Sequence, residues 1–421
     1  MGTRLAAAGA LLLASALGAG TLPQDVAPLP KEMASRVAEL LKEAETWRGL
    51  TAREPVPSGT VDEPVLKRKV AESFREELPP EVLRSVETGL KAFGLIPEGL
   101  DLVAFLPELL ASETAGFYDP ERHYLVLVQR EGQPLDAGPP ELSEDAATRT
   151  DEAVLVHELT HAIQDQHFNL ETFSSGRPLD DAEAARVALI EGDATLVMMD
   201  FFAQTRIEEV PALQQSMAAM LDDPREMMDA ASGVPGTAEL AAAPAWLRDT
   251  LLFSYFQGFQ FCLSARQAGG QALLDKAFST DPPRSTEQIL HPEKWHTKRD
   301  DPVAIAWPEG LLPGWSRVSE GQLGELGVRT LVREIAKQKD DRASQAAAGW
   351  GGDRFAVFQE KEGRRLLVWI SEWDSDADAK ELQSALRGLE KDWAVQRSAR
   401  RVVVTRGELP KEARAALKKR T

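Results

Sequence analysis

The chain has 421 residues, enough for two or three domains and a sizeable buried core. Hydrophobic residues make up 43% and charged residues 27%, the balance of a globular protein. The net charge of −19 argues against nucleic acid or an anionic membrane surface as a partner.

The first twenty residues have the pattern of a secretory signal peptide. Arg4 supplies the charged start, residues 5–17 an apolar run rich in Ala and Leu, and Ala14-Ser15-Ala16 and Gly18-Ala19-Gly20 small-residue cleavage sites. The run is too short to span a bilayer comfortably, and no second long apolar run follows. No cysteine lies nearby to carry a lipid. The expectation is a secreted or periplasmic protein with no integral membrane segment after signal removal. The single cysteine, Cys262, cannot form an internal disulfide and reads as a small core hydrophobe.

Residues 21–30 read as a Pro-containing linker. An amphipathic helix is expected over 31–47, with Val37, Leu40, Leu41 and Ala44 on one face. Residues 53–61 carry two prolines and suggest an edge strand or a loop. Helices are expected near 62–77, 80–94 and 100–112, bounded by Pro79, Pro80 and Pro97. Residues 114–128 suggest two strands around an Asp119-Pro120 turn, with His123 a turn residue rather than a ligand. Residues 131–145, rich in Pro, Gly and acids, read as an exposed loop.

The most informative stretch follows. His157-Glu158-Leu159-Thr160-His161 is an H-E-x-x-H. On a helix, residues four apart lie one above the other, so both imidazoles can give a ring nitrogen to one Zn²⁺. Glu158 flanks such a metal without ligating it and can take a proton from its water. Thr150 is the expected N-cap, with Asp151 and Glu152 in the first turn. Val154, Leu155, Leu159, Ala162 and Ile163 supply an apolar stripe. Two His and a Glu in such a run are costly to bury without a partner.

A catalytic zinc needs a third protein ligand, and two are open. His167 has the spacing of the longer H-E-x-x-H-x-x-G-x-x-H signature, but Gln164 stands where that signature has the turning Gly. On a continuing helix His167 points about 120° away from His161. Glu191 lies on a second helical stretch among Val187, Leu189, Ile190, Leu196 and Val197, and is favoured.

Beyond it, Met198 and Met199 read as core fill, and residues 210–245 as two short helices with a loop that overhangs the cleft. Residues 246–269 read as a strongly apolar central helix. Ser285 and Gln288 form a capping box for a short helix ending near His291-Pro292. A hydrolytic zinc site wants a donor for the oxyanion; His291 and Tyr255 are the two residues considered. Past Pro313 the texture changes. An amphipathic helix is expected over 321–337, a turn at 349–353, and a hairpin of 355–359 with 366–371. A helix from Asp374 or Ser375 to about Trp393, a strand over 401–405 and a basic terminal helix complete a small α+β unit without catalytic residues.

H-E-L-T-H with a Glu on the following helix resembles the zincin metallopeptidases of the gluzincin type. GFYDPERHYLVLV, VLVHELTHAIQDQHF, ALIEGDAT and DPPRSTEQILHPEKW more closely resemble a group of predicted bacterial secreted zincins. The resemblance covers most of 30–315. It implies a zincin-like domain over 21–315 in a fold expected to be α+β and predominantly helical, and the small α+β unit read from the pattern beyond it occupies 316–421. It implies zinc, with His157, His161 and Glu191 as ligands and Glu158 as general base. The strand 124–128 would run along the cleft and pair with an extended peptide or protein substrate. Thr195 stands where better-known gluzincins place an Asp that orients a ligand His, leaving Asp193 for that task. The alternatives are a catalytically silent scaffold with a structural metal, or a zinc hydrolase of a non-peptide amide.

Overall fold

A computed structural model describes residues 22–113, 116–129, 144–174, 176–212, 214, 238–308 and 310–418. It is an α+β structure, about 55% helix with two small sheets. The expected signal peptide, the 131–143 part of the acidic loop and most of 210–237 lie outside the described residues.

In chain order, β1 (Ala27–Pro28) precedes α1 (Lys31–Arg48), which Gly49 ends in the left-handed conformation. β2 (Ser58–Asp62) runs straight into α2 (Glu63–Glu77). α3 (Pro80–Phe93) opens on Pro and ends at a left-handed Gly94, the asymmetry that fixed-φ Pro and Cβ-free Gly favour. Then come α4 (Leu102–Glu113), β3 (Gly116–Asp119) and β4 (Tyr124–Gln129).

The first sheet has the order β1-β2-β4-β3. β2 and β4 are parallel; the other pairs are antiparallel. The stretch 53–61 therefore ends in an interior strand, not an edge one. β4 is also interior, hydrogen-bonded on both sides, so it has no free edge for an added peptide strand. The edge on the side of the HExxH helix is β3.

That helix, α5 (Glu144–Phe168), starts two turns earlier than Thr150. Thr150, Asp151 and Glu152 thus lie inside it. It continues unbroken through Gln164 and His167. After α6 (Leu170–Phe173), α7 (Asp181–Ala203) begins at Asp180, whose side chain accepts from the Ala182 and Glu183 N–H groups. α8 (Ala238–Ala242) precedes α9 (Ala245–Ala277), which breaks at Gly269-Gly270.

α7 packs against both α5 and α9, and residues 188–197 are buried all round. Glycines make this possible. A Cβ on Gly192 would lie 2.0 Å from the Gly258 carbonyl carbon, and one on Gly258 2.0 Å from the Ala188 oxygen. Backbone meets backbone, so no side chain can move aside. Gly258→Ala is expected to destabilise by at least the ~1–3 kcal/mol typical of overpacking, as a lowered melting temperature.

α10 (Thr286–Leu290) is capped by Ser285 as expected, but the Gln288 side chain reaches back to the Arg284 N–H instead of the cap residue. α11 (Glu293–His296) follows. The second sheet is antiparallel throughout, in the order β5-β6-β7-β9-β8. Its strands are β5 (Ser316–Gly321), β6 (Trp350–Gln359), β7 (Arg365–Trp373), β8 (Trp393–Ser398) and β9 (Arg401–Arg406). Helices α12 (Gly324–Glu334), α13 (Asp340–Ala347), α14 (Asp376–Ala385) and α15 (Lys411–Lys418) accompany it.

Three expectations change here. The helix placed over 321–337 is shorter, because Gly321 ends β5. Trp393 opens β8 instead of ending a helix. The turn at 349–353 is the bulged start of β6. Its glycines serve a close approach: a Cβ on Gly352 would lie 2.3 Å from the Val303 oxygen, and the Val303 N–H donates to the Gly351 carbonyl at 2.6 Å. Alternate residues of β6 and β7 feed two cores. Phe355 and Trp369 turn towards Phe93 of α3, with ring centroids 5.0 and 6.1 Å away. Phe358 and Ile370 face Leu312 and Leu417. The sheet thus shares one core with the N-terminal helices across the 315/316 boundary.

Candidate metal centre

Residues 156–165 of α5 are buried, which brings His157, Glu158 and His161 inside the protein with α7 against them. Glu191, 1% exposed, projects from α7 at the two imidazoles. His157 Nε2 lies 3.2 Å from Glu191 Oε2 and 3.1 Å from His161 Nε2. His161 Nε2 is 3.6 Å from the same carboxylate oxygen. A tetrahedral ion with ~2.0–2.1 Å bonds needs donors about 3.3–3.4 Å apart, and this triangle has that size. Two imidazoles and a carboxylate are also the donor types zinc takes. The residues therefore fit the metal.

Charge is arranged to match. Burial pushes the Glu191 carboxyl up, but the facing imidazoles outweigh it and hold it down at about 2. Glu191 is thus an anion. Burial likewise disfavours a charged His161, and the Glu191 charge overcomes this, raising the ring to about 9. Burial raises Glu158, opposed by the two imidazoles. Glu158 turns away from the donor triangle, and its Oε2 accepts from the Tyr118 N–H at 2.9 Å. Tyr118 belongs to β3, so the sheet edge lies directly on Glu158. The Tyr118 hydroxyl donates to Asp165, two turns along α5 from Glu158, at 2.9 Å.

The other expected residues fall as follows. The Tyr255 ring stacks on His157, with centroids 5.9 Å apart and 30° between planes. His291 is not brought to the cluster. Its Nε2 faces Glu325 at 3.0 Å, and its charged neighbours are Glu325, Glu293 and Glu287. A His at the end of a short helix finds the carboxylate of the adjoining α12 first. His167 Nε2 bonds the Thr51 carbonyl oxygen at 2.8 Å and points out of the site. His123 sits in the β3–β4 turn at φ 54°, with Nδ1 2.8 Å from Asp165. Thr195 Oγ1 and His157 Nδ1 are buried without a hydrogen-bond partner among the described residues. Asp193 touches neither ligand His; it receives 2.8 and 2.6 Å hydrogen bonds from Gln164 and Arg48. Sequence reasoning did not find that link. Its one local signal was Asp193, whose helical neighbours Leu189, Ile190, Leu196 and Val197 are apolar.

A second acidic group, Glu287, Asp300 and Asp374, converges elsewhere. The Lys294 ammonium reaches all three, at 2.7, 3.1 and 2.9 Å. The cation these acids need is supplied by the chain itself.

A family model described as a domain of unknown function (DUF8575) matches residues 311–421. That is the second sheet and its helices, not the helices bearing His157, His161 and Glu191. No curated protein and no solved structure matches the chain. Among the described residues, no helix is long and apolar enough to cross a membrane.

Proposed function

We propose that this chain is a secreted or periplasmic zinc metallopeptidase of zincin-like fold, with His157, His161 and Glu191 as ligands. The observation that carries the reading is the donor triangle of two Nε2 atoms and one carboxylate oxygen, with edges of 3.1, 3.2 and 3.6 Å. The resemblance of the H-E-L-T-H and downstream Glu to gluzincins supports the same assignment.

When bound, zinc supplies Lewis-acid polarisation of the scissile carbonyl and acidifies the attacking water. Glu158 takes the proton from that water as the new C–O bond forms, and delivers it to the amine as the C–N bond breaks. It is free for this because it does not belong to the donor triangle. Tyr255, stacked beside His157, is assigned to the developing oxyanion; His291, held by Glu325, is not. An extended substrate is assigned to the side of β3, the edge strand of the first sheet that lies against Glu158, rather than to β4. A cavity of about 190 Å³ contains Val187, one turn before Glu191, and Ser254, next to Tyr255. None of His157, Glu158, His161, Glu191 and Tyr255 lines it, so the cavity is assigned no subsite.

Digestion of a peptide library with and without chelator tests this. Cleavage that chelator abolishes and zinc restores is the expected result. A folded protein that takes up no zinc and cleaves no peptide contradicts it.

A further inference from the structure

Gln164 occupies the position where the longer His signature carries its turning glycine, and the structure gives it a different task. Its side chain is wholly buried between α5 and α7. The amide Nε2 donates to the Ile190 carbonyl at 3.0 Å and to Asp193 Oδ2 at 2.8 Å. Both partners are acceptors, so the amide cannot be reversed: its oxygen would then face a carbonyl and a carboxylate. Oε1 must point the other way, and there it meets His161 Nδ1 at 2.9 Å. An amide oxygen can only accept. When neutral, as a metal ligand must be, His161 therefore carries its proton on Nδ1, which leaves Nε2 as the lone-pair donor facing His157 and Glu191.

The orientation is anchored further out. Asp193 Oδ2 also accepts from Arg48 Nε at 2.6 Å, and Arg48 Nη1 reaches Asp275 at 2.8 Å. Arg48 is 0% exposed and Asp193 1%. Its guanidinium also stands 5.8 and 5.7 Å from the Phe168 and Phe278 ring centres. A charge so enclosed has few other geometries open to it, so Asp193 stays where Gln164 needs it.

We infer that Gln164 is a positioning residue that fixes the tautomer and ring orientation of His161, itself held in register by the Asp193–Arg48 ion pair. His157 has no such support: its Nδ1 lacks a partner among the described residues. The two imidazoles of one H-E-x-x-H are thus held unequally. This inference rests on the zinc reading, because it assigns His161 Nε2 to the metal.

The test pairs two variants with zinc itself as the probe. Gln164→Met keeps the length and removes the acceptor; Gln164→Glu keeps the acceptor and disturbs the Asp193 contact. Chelator competition is expected to show zinc affinity falling about 10–100-fold in Gln164→Met, the usual loss for an outer partner of a ligand His. Gln164→Glu should stay within a few-fold of the original protein, even though its melting temperature drops. Equal affinity loss in the two variants, or none in Gln164→Met, overturns the inference. Nitrogen-15 NMR of the unsubstituted, metal-free protein at pH 10 gives a reading that needs neither variant nor metal. There His161 should be the Nδ1–H tautomer; an Nε2–H tautomer overturns the lock. Failure of the unsubstituted protein to bind zinc, with the Nδ1–H tautomer present, would sink the zinc reading and leave the lock standing.

Discussion

Glu158→Gln is expected to lower peptide hydrolysis about 100- to 10,000-fold, the range associated with a lost general acid or base. Zinc content should stay at the level of the unsubstituted protein. Both halves follow from position. Glu158 lies next to His157 in sequence, yet its carboxylate turns to the Tyr118 N–H rather than into the donor triangle. The amide oxygen of Gln can still accept that hydrogen bond, so packing against β3 is retained. What is lost is the basic oxygen. Hydrolysis that survives the change with zinc still bound would remove Glu158 from the chemistry. It would favour a metal that only supports the fold. Initial rates on a cleaved library peptide, with metal analysis of the same sample, give the answer.

Glu191→Ala is expected to strip the metal, while His167→Ala leaves it bound. Glu191 supplies the only anion of the triangle, is 1% exposed, and cannot be replaced by solvent without opening the α5–α7 contact. Its loss should exceed the 10–100-fold that outer partners cost. His167 is at the far end of α5 with Nε2 on the Thr51 carbonyl. Removing it should disturb only that junction with the segment after α1. Zinc titration of the two variants separates the cases. Retention in Glu191→Ala together with loss in His167→Ala would reverse the ligand assignment.

Much of the His157–His161–Glu191 cluster was legible in the chain itself. The spacing of His157 and His161 determines that they share a helix face. Gln164 in place of Gly determines that the helix runs on, which turns His167 away. Glu191 stood out because a carboxylate among Val, Leu and Ile residues needs a partner. The helices over 31–48, 63–77 and 80–93 were marked by periodicity and by proline and glycine punctuation.

What the sequence concealed was mostly long-range. Whether β4 has a free edge depends on β2, more than sixty residues earlier in the chain, and no local pattern reports such a pairing. Gly351 and Gly352 look like turn residues, but Gly352 is needed because the Val303 backbone lies where its Cβ would be. Trp350 and Trp369 both donate to Asp353, which also caps α12 through the Leu323 and Gly324 N–H groups. A buried carboxylate serving two indoles and a helix start joins three separate stretches. His291 shows the same: its chemistry suits an oxyanion donor, but its ring is held 3.0 Å from Glu325 of α12.

The central claim is that one metal ion sits among His157, His161 and Glu191. Anomalous diffraction above and below the zinc absorption edge, from crystals of zinc-supplemented protein, tests it most directly. The account predicts a single strong anomalous peak about 2.0–2.1 Å from the two Nε2 atoms and within bonding distance of a Glu191 oxygen. An occupied peak at the Glu287–Asp300–Asp374 group instead, or zinc held by His167, would contradict it.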